Sequence, residues 1–451
     1  MKLSSFVLSL AVPSLLLIFA TFSFAQEMTQ FRGEGSMAKN LDAFISPDWE
    51  FEESKAWESE IEGSGWSQPI IWEDRVYVTT AVAGDGFKPK DFAGGVRMPS
   101  SRGGGTKRPD YEVEWKVVCL DVKTGELLWS TSVGKAQPEF GIHPSNSYAT
   151  ESPAVDQDGI YAYFGSYGFV AKLDHDGKLT WKKEVGAYKT NNDFGTGSSL
   201  AIDEGRIFLQ IFAETSAKIL CLNTTKGETV WEKERSGATR TSWSSPVIWK
   251  NDKRTELIVS GGEQIDSYDP ASGEINWTLT NIKAPTACSV CTDEKQIYFG
   301  GSDRMSKGPL FAVAAGTSGE IAPEERNGDF EGCTWSVPRS GPGMSTPVSS
   351  GEFVFMTDRS VASCFRTSDG SQVFKDRMPG MSMIVACPYV IGNEVLVVDE
   401  QGNFGAAKIG EEFGFRKLGS VKETVWATPA VTEDSIYLRT VSKLYRLKLK
   451  P

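Results

Sequence analysis

Apolar and polar residues alternate along most of the chain in short runs, not in the wider stripes of amphipathic helices. Segments such as "RVYVTT" (75–80), "GIYAYFG" (159–165) and "SIYLRT" (435–440) are rich in β-branched and aromatic residues, and each follows a polar turn. That pattern predicts strands. A second pattern overlies the first. "LDVKTGELLW" (120–129) returns as "LDHDGKLTW" (173–181), "LNTTKGETVW" (222–231), "YDPASGEINW" (268–277) and "FRTSDGSQVF" (365–374). The turn glycines Gly125, Gly177, Gly227, Gly273, Gly319 and Gly370 follow one another at intervals of 46 to 52 residues. A repeat of that length, built from strands, predicts a propeller.

A third signature completes the unit. Ser/Thr-x-Pro-apolar or a close relative appears in "WSQPIIW" (66–72), "ESPAV" (151–155), "WSSPVIW" (243–249), "MSTPV" (344–348) and "WATPAV" (426–431). Each unit is therefore four strands: A carries this signature, B follows a tight turn, C ends in Leu-Asp, and D carries a tryptophan. Strand A starts near 67, 150, 197, 243, 287, 345, 384 and 427. The prediction is an all-β, eight-bladed β-propeller of four-stranded antiparallel blades. The last unit stops at its C strand, "KLYRLKLKP", so an N-terminal strand, "SKAWESEI" (54–61), is expected to close the ring and remove two open edges. Trp57, Trp129, Trp181, Trp231, Trp277 and Trp335 are expected to be structural, filling the joints between blades.

The ends and one insertion divide the chain further. Lys2 precedes the apolar stretch "FVLSLAVPSLLLIFATF", and small residues at Ser23 and Ala25 fit a signal-peptidase site. The alternative is an uncleaved anchor. Residues 1–25 read as a signal peptide, 26–53 as a lead-in and 54–451 as the propeller. Residues 83–110 form a flexible insertion in blade 1 that carries Lys88, Lys90, Arg97, Arg102, Lys107 and Arg108. A periplasmic or extracellular location follows. No other apolar stretch reaches transmembrane length, and a monomer is expected. The full chain has 451 residues and a formal charge of −12. That charge argues against nucleic-acid binding. Seven cysteines in an exported chain leave at least one without an internal partner. Cys119, Cys221 and Cys364 occupy one repeat position and read as small core residues. Cys288 and Cys291, in "CSVC", lie in a strand and read as packing residues as well.

The recurring Asp-x-x-Thr/Ser-Gly-Glu-x-x-Trp resembles the pyrroloquinoline-quinone-like propeller repeat of the quinoprotein alcohol dehydrogenase-like family. The resemblance spans about residues 50–451. The lead-in "TQFRGEGSMAKN" (29–40) resembles that of exported propellers of planctomycete-type bacteria, and a more distant resemblance is to the propeller lipoprotein of the outer-membrane β-barrel assembly machine. The catalytic branch implies adjacent cysteines beside the quinone, Ca²⁺ held by Glu and Asn, a catalytic Asp, a Trp under the quinone and often a c-type haem. Here no two cysteines adjoin and no Cys-x-x-Cys-His occurs. Two histidines are too few for a His-rich metal site.

In such a meander the A–B and C–D turns share one face, and the B–C and D–A loops share the other. The longer D–A loops bring His143, Asn146, Tyr148, Glu151, Asn192, Asp193, Arg240, Trp243, Arg339 and Trp426 toward one mouth of the central channel, as ligand-binding candidates. The alternative is that Trp66, Trp243 and Trp426 only pack near the axis. The expected function is an exported, non-catalytic binding or scaffolding module for a protein or a cell-envelope polymer. It has no catalytic residues, no metal and no cofactor. A pyrroloquinoline-quinone-dependent oxidoreductase with Ca²⁺, held by Glu151, Asn192 and Asp193, is the first alternative. A carbohydrate-active enzyme using Glu151 and Asp193 as paired carboxylates is the second.

Overall fold

A computed structural model of the chain describes residues 28–84, 86–90, 107–235, 241–284, 287–302 and 307–450. Eight antiparallel sheets succeed one another along the sequence. Blade 1 is typical, with strands Ile70–Trp72, Arg75–Ala83, Val113–Asp121 and Leu127–Ala136 running from the axis outward. Blade 7 lacks the turn motif yet forms the same meander, from Tyr389–Ile391 to Phe415–Ser420. Blade 8 joins the two ends of the chain. Lys55–Glu60 pairs antiparallel with Lys443–Lys448 and places Trp57 opposite Arg446. The closing strand read from the sequence is the one observed. It satisfies the backbone of an edge that the C-terminus leaves unpaired. The predicted signal peptide lies outside the described residues.

The Lys-Thr-Gly turn has a double origin. Its Asp is an internal acceptor: Asp121 Oδ1 takes the N–H groups of Lys123 (2.9 Å) and Thr124 (2.7 Å), as Asp269 does for Ala271 and Ser272. Its glycine sits at positive φ beneath the tryptophan of the preceding blade. A Cβ on Gly177 would stand 2.5 Å from Trp129 Cδ2, and one on Gly273 would stand 2.7 Å from Trp231 Cδ2. Gly125, Gly227 and Gly370 hold the same relation to Trp57, Trp181 and Trp335. The indole N–H then donates to a carbonyl of that turn: Trp57 to Val122, Trp129 to His175, Trp181 to Thr224, Trp231 to Pro270 and Trp335 to Thr367, all at 2.8–3.1 Å. On its other side the ring meets an aromatic of its own B strand, as Trp129 meets Tyr77 at 5.9 Å. Cys119 and Cys221 lie opposite Trp129 and Trp231 in the C–D ladders, where a small side chain leaves room for the indole.

Trp277 departs from this pattern. Gly319 has nothing near its Cβ position, and Trp277 turns inward, fully buried, to donate to Glu256 Oε2 at 2.9 Å. The cause is the insertion after Gly319. Gly319–Ile321 becomes a fifth strand of blade 4, parallel to Ile275–Leu279, and occupies the joint. The "APEERNGDFEG" stretch (322–332) reads in sequence as a solvated elaboration of the short-turn face. Instead it climbs the outside of the joint toward the long-loop face. There Arg326 pairs with Glu263 (2.7 Å) in a B–C turn, and Asn281 donates to Pro323 O (2.9 Å).

Two devices close the axis, and the first explains the hydroxyl residue that directly precedes the proline in most copies of the Ser/Thr-x-Pro signature. Neighbouring A strands form no ladder with one another. The backbone N–H of each blade instead donates to a hydroxyl of the next: Gln68 to Ser152, Ser152 to Ser199, Ser199 to Ser245, Ser245 to Ser289 and Ser289 to Thr346, each at 2.9 Å. The belt continues from Thr346 to Cys387 Sγ (3.4 Å) and from Cys387 to Thr428 (3.1 Å). Gln68 Nε2 completes it on the Pro429 carbonyl (2.8 Å). The second device is the lead-in. From Met28 to Trp49 it bonds to all eight blades. Met28 bridges Ile71, Thr29 O accepts from Val155, and Gln30 Oε1 accepts from Ile202. Glu34 pairs with Lys250, Gly35 O accepts from Thr292, and Arg32 donates to Pro347 O. Lys39–Asn40 runs parallel to Tyr389–Ile391, and Trp49 donates to Lys448 O. Arg32 is fully buried.

Candidate functional site

With residues 28–40 inside the ring from the short-turn face, the longer D–A loops frame the other mouth. They are built on one another. Asn146, in the loop that leads to blade 2, donates to Phe194 O (3.2 Å) and Thr196 O (2.9 Å) in the next loop. Its Oδ1 accepts from its own loop, from the Tyr148 N–H (3.1 Å) and the Thr150 hydroxyl (3.2 Å). Gly195 N donates to Thr190 Oγ1 (2.8 Å), and Asn191 N donates to Thr241 Oγ1 (2.6 Å), which brings in a third loop. Trp243 spans the same joint through its N–H to Gly195 O (2.7 Å). Trp66 does likewise to Ser145 O (2.7 Å) and stacks on Trp426 at 6.2 Å and 27°.

The ten candidates therefore separate. His143 is buried, bonded through Nδ1 to Ser145 Oγ (2.6 Å) and edge-on to Phe194. Burial holds its pKa below the usual imidazole range. Tyr148 is buried at φ +60°, with its carbonyl taken by Trp115 Nε1 (3.0 Å). Asn192 is exposed at positive φ, and Asp193 is half-buried beside it in a loop tip. Arg339 is exposed on the loop between blades 5 and 6. Arg240 lies outside the described residues. The expected Glu151–Asn192–Asp193 group does not form, because Glu151 is sunk in the joint while the other two crown a loop. Among the described residues no three His, Cys, Asp or Glu side chains converge in metal-binding geometry. The basic insertion is described only at its ends. These lie on the neighbouring loop, through Lys90 N to Pro144 O (2.9 Å) and Arg108 Nε to Pro138 O (3.0 Å).

Glu151 is the exception among the candidates. It is 1% exposed, and burial raises its pKa to about 7. Oε1 accepts from Gly165 N (3.3 Å), the Thr196 hydroxyl lies close enough to stabilise the carboxylate, and Oε2 is buried without a partner among the described residues. Gly165 and Thr196 also line a cavity with about 20 Å³ of water-sized room, walled by Tyr163, Tyr188, Phe212 and Trp243.

Sequence reasoning passed over Arg439. It is fully buried at the end of the B strand of blade 8, and burial lowers its pKa to about 9. Nη1 donates to Ser67 Oγ and Thr79 O at 2.5 Å, while Nε and Nη2 have no partner among the described residues. The signal was available: the corresponding B-strand positions hold Thr79, Tyr163, Gln210, Ser260, Gly300, Thr357 and Val398, so the arginine is the odd member.

The residues expected to hold a quinone with Ca²⁺ are not brought together: Trp426 stacks on Trp66, and Glu151 is buried apart from the exposed loop tip of Asn192 and Asp193.

Residues 111–322 match the family model described as outer membrane protein assembly factor BamB, so the pyrroloquinoline-quinone-like repeat read from the sequence is present. No curated protein matches the chain. Among solved structures, BamB from Moraxella catarrhalis superposes with a TM-score of 0.55 at 13% identity, over 87% of this chain and 97% of that one. The quinohemoprotein alcohol dehydrogenase of Comamonas testosteroni gives 0.55 at 10% identity, over 94% of this chain and 80% of that one. Saccharomyces cerevisiae Sqt1 gives 0.52 at 10%, over 78% and 97%. At these identities the likeness is one of fold.

Proposed function

We propose that this BamB-like propeller is an exported, non-catalytic binding module whose long-loop face receives a protein or a cell-envelope polymer. The observation that carries the reading is the occupation of the axis: residues 28–40 bond to seven blades in the space where a ring fold could house a cofactor. The long-loop face has interlocked loops with polar and aromatic side chains, the surface that a rigid scaffold offers to partners. No helix among the described residues is long and apolar enough to cross a membrane. Export rests on the N-terminal pattern of residues 1–25.

The test is site-specific photo-crosslinking in envelope extract. A probe at Arg339, exposed on the long-loop face, is expected to capture one partner reproducibly, whereas a probe at Lys226, exposed in a C–D turn, is not. Capture from Lys226 alone would move the docking face to the other side. Titration with pyrroloquinoline quinone and Ca²⁺, followed by tryptophan fluorescence, is expected to give no saturable signal. Tight Ca²⁺-dependent binding would restore the oxidoreductase.

A further inference from the structure

Glu151 stands at a ring position where the other blades carry Ser67, Ser198, Ser244, Cys288, Ser345, Ala386 and Ala427. Three of the four serines there bond to the B strand of their own blade, while Ser198 Oγ is buried without a partner among the described residues. Ser67 Oγ accepts from Thr79 N (3.0 Å), Ser244 bonds to Ser260 Oγ (2.8 Å), and Ser345 bonds to Thr357 Oγ1 (2.7 Å). A small residue meets the needs of the fold in the other blades, so a buried carboxyl in this slot carries a desolvation cost that they avoid. The surroundings accommodate it specifically. Gly165 opposes it, and a Cβ there would stand 2.9 Å from Glu151 Oε1 and 2.8 Å from Thr196 Oγ1. No Lys or Arg contributes to its environment; the groups that act on it are the Thr196 hydroxyl and backbone N–H groups. The buried Tyr163 lies within electrostatic range of both Glu151 and Tyr188. Both tyrosines line the adjoining cavity, as do Phe212 and Trp243.

An uncompensated carboxyl behind a cavity walled by aromatic rings has the chemistry that receives an organic ammonium: one ion pair, hydroxyl acceptors and ring faces. A cavity of about 20 Å³ has room for one group the size of a water or an ammonium head. We propose that the joint between blades 2 and 3 is a binding site for a primary ammonium group, with Glu151 as its counter-charge and Thr196, Tyr163 and Tyr188 as its walls. This deepens the reading of the long-loop face as the docking surface, since it supplies the chemical class of the ligand: an amine-bearing side chain or an amino sugar.

The probe is methylammonium chloride, titrated against the full mature chain at constant ionic strength with NaCl, and read by Trp243-sensitive fluorescence and by the thermal midpoint. Wild type is expected to saturate at pH 8 and to bind roughly tenfold more weakly at pH 6, where the carboxyl is mostly protonated. E151S restores the ring residue of the other blades, keeps the fold and is expected to abolish saturation. E151Q tests whether shape alone suffices. Saturation by Na⁺ equal to that by methylammonium, an unchanged response in E151S, or no response at pH 8 would each overturn the proposal. Because the probe is a small ion, a positive titration stands even where photo-crosslinking finds no partner, and a captured partner with a flat titration would refute the ammonium site alone.

Discussion

Arg32 is the side chain on which the lead-in turns, and its loss should have a calculable effect. Its guanidinium is fully buried. It donates to Pro347 O (2.7 Å), Ser36 Oγ (2.9 Å), Ser36 O (3.0 Å) and, at longer range, Thr346 O (3.5 Å). In R32M the apolar stem and most of the volume remain, and the backbone N–H still reaches Gln68 Oε1 (2.7 Å). What disappears is every donor to the two blade-6 carbonyls and to Ser36. Leaving a buried acceptor without its partner costs roughly 1–3 kcal/mol. Two such carbonyls, offset by the apolar burial of methionine, put the expected loss at about 3 kcal/mol. A 451-residue chain has an unfolding entropy of about 0.9 kcal/mol per kelvin at ~2 cal/mol/K per residue, so the midpoint should fall by about 3 °C. Calorimetry gives that number. Limited proteolysis with mass readout supplies a second observable, because cleavage between residues 28 and 50 should appear in R32M well before the blades are cut. A midpoint within 0.5 °C of wild type, together with an intact N-terminus under protease, would show that the lead-in is not held by this side chain.

Four further outcomes are expected. Trp231, stacked on Tyr268 and resting on Gly273, should cost about 3–5 kcal/mol as W231A in chemical denaturation. G273A should lower stability through both positive φ and collision with the indole, and a neutral result would deny the joint its tight contact. Glu151 has a folded pKa of about 7 against an unfolded value near 4.5, so the native state binds the extra proton between them. Stability should accordingly fall as pH rises from about 4.5 to about 7. E151S should lack that slope and be the more stable protein at pH 8; a parallel pH profile would refute the assignment. Burial pushes the Cys119 and Cys288 thiols up to about 12. Ellman's reagent should thus find few thiols in the native protein and all seven after unfolding, and rapid native modification of most of them would contradict the packing.

The blade number, the strand that closes the ring and the roles of five tryptophans were legible because they are local facts repeated many times. Asp-x-x-Thr-Gly specifies its own turn through the Asp side chain, and a Trp a few residues later specifies the neighbour it must cover. Any one copy is ambiguous, but a period near fifty residues is not. Trp277 is a buried core residue as well, but it lacks the shared contact with the next turn glycine because that turn was displaced by an insertion, and nothing local to "EINW" records what happens some forty residues later. The Ser/Thr-x-Pro signature was visible as a pattern, yet the task of the hydroxyl just before its proline lay outside its own blade, in accepting a backbone N–H from the preceding one.

The mouth residues were the least legible. Loop residues of one type look equivalent in sequence, but Asn146 locks two loops together, Asn192 points into solvent, and Glu151 sinks into a joint. Only closure of the ring sorts them. The lead-in shows the same division most plainly. "TQFRGEGS" by itself has little apolar content and no regular period. Its order comes from six blades that each present a donor or acceptor to it. Local patterning determined how each blade forms and how many there are, because strand period and turn chemistry act over a few residues. What fills the axis, and which polar side chain is left buried and uncompensated, was decided by tertiary structure, because those energies exist only once distant blades remove the same water.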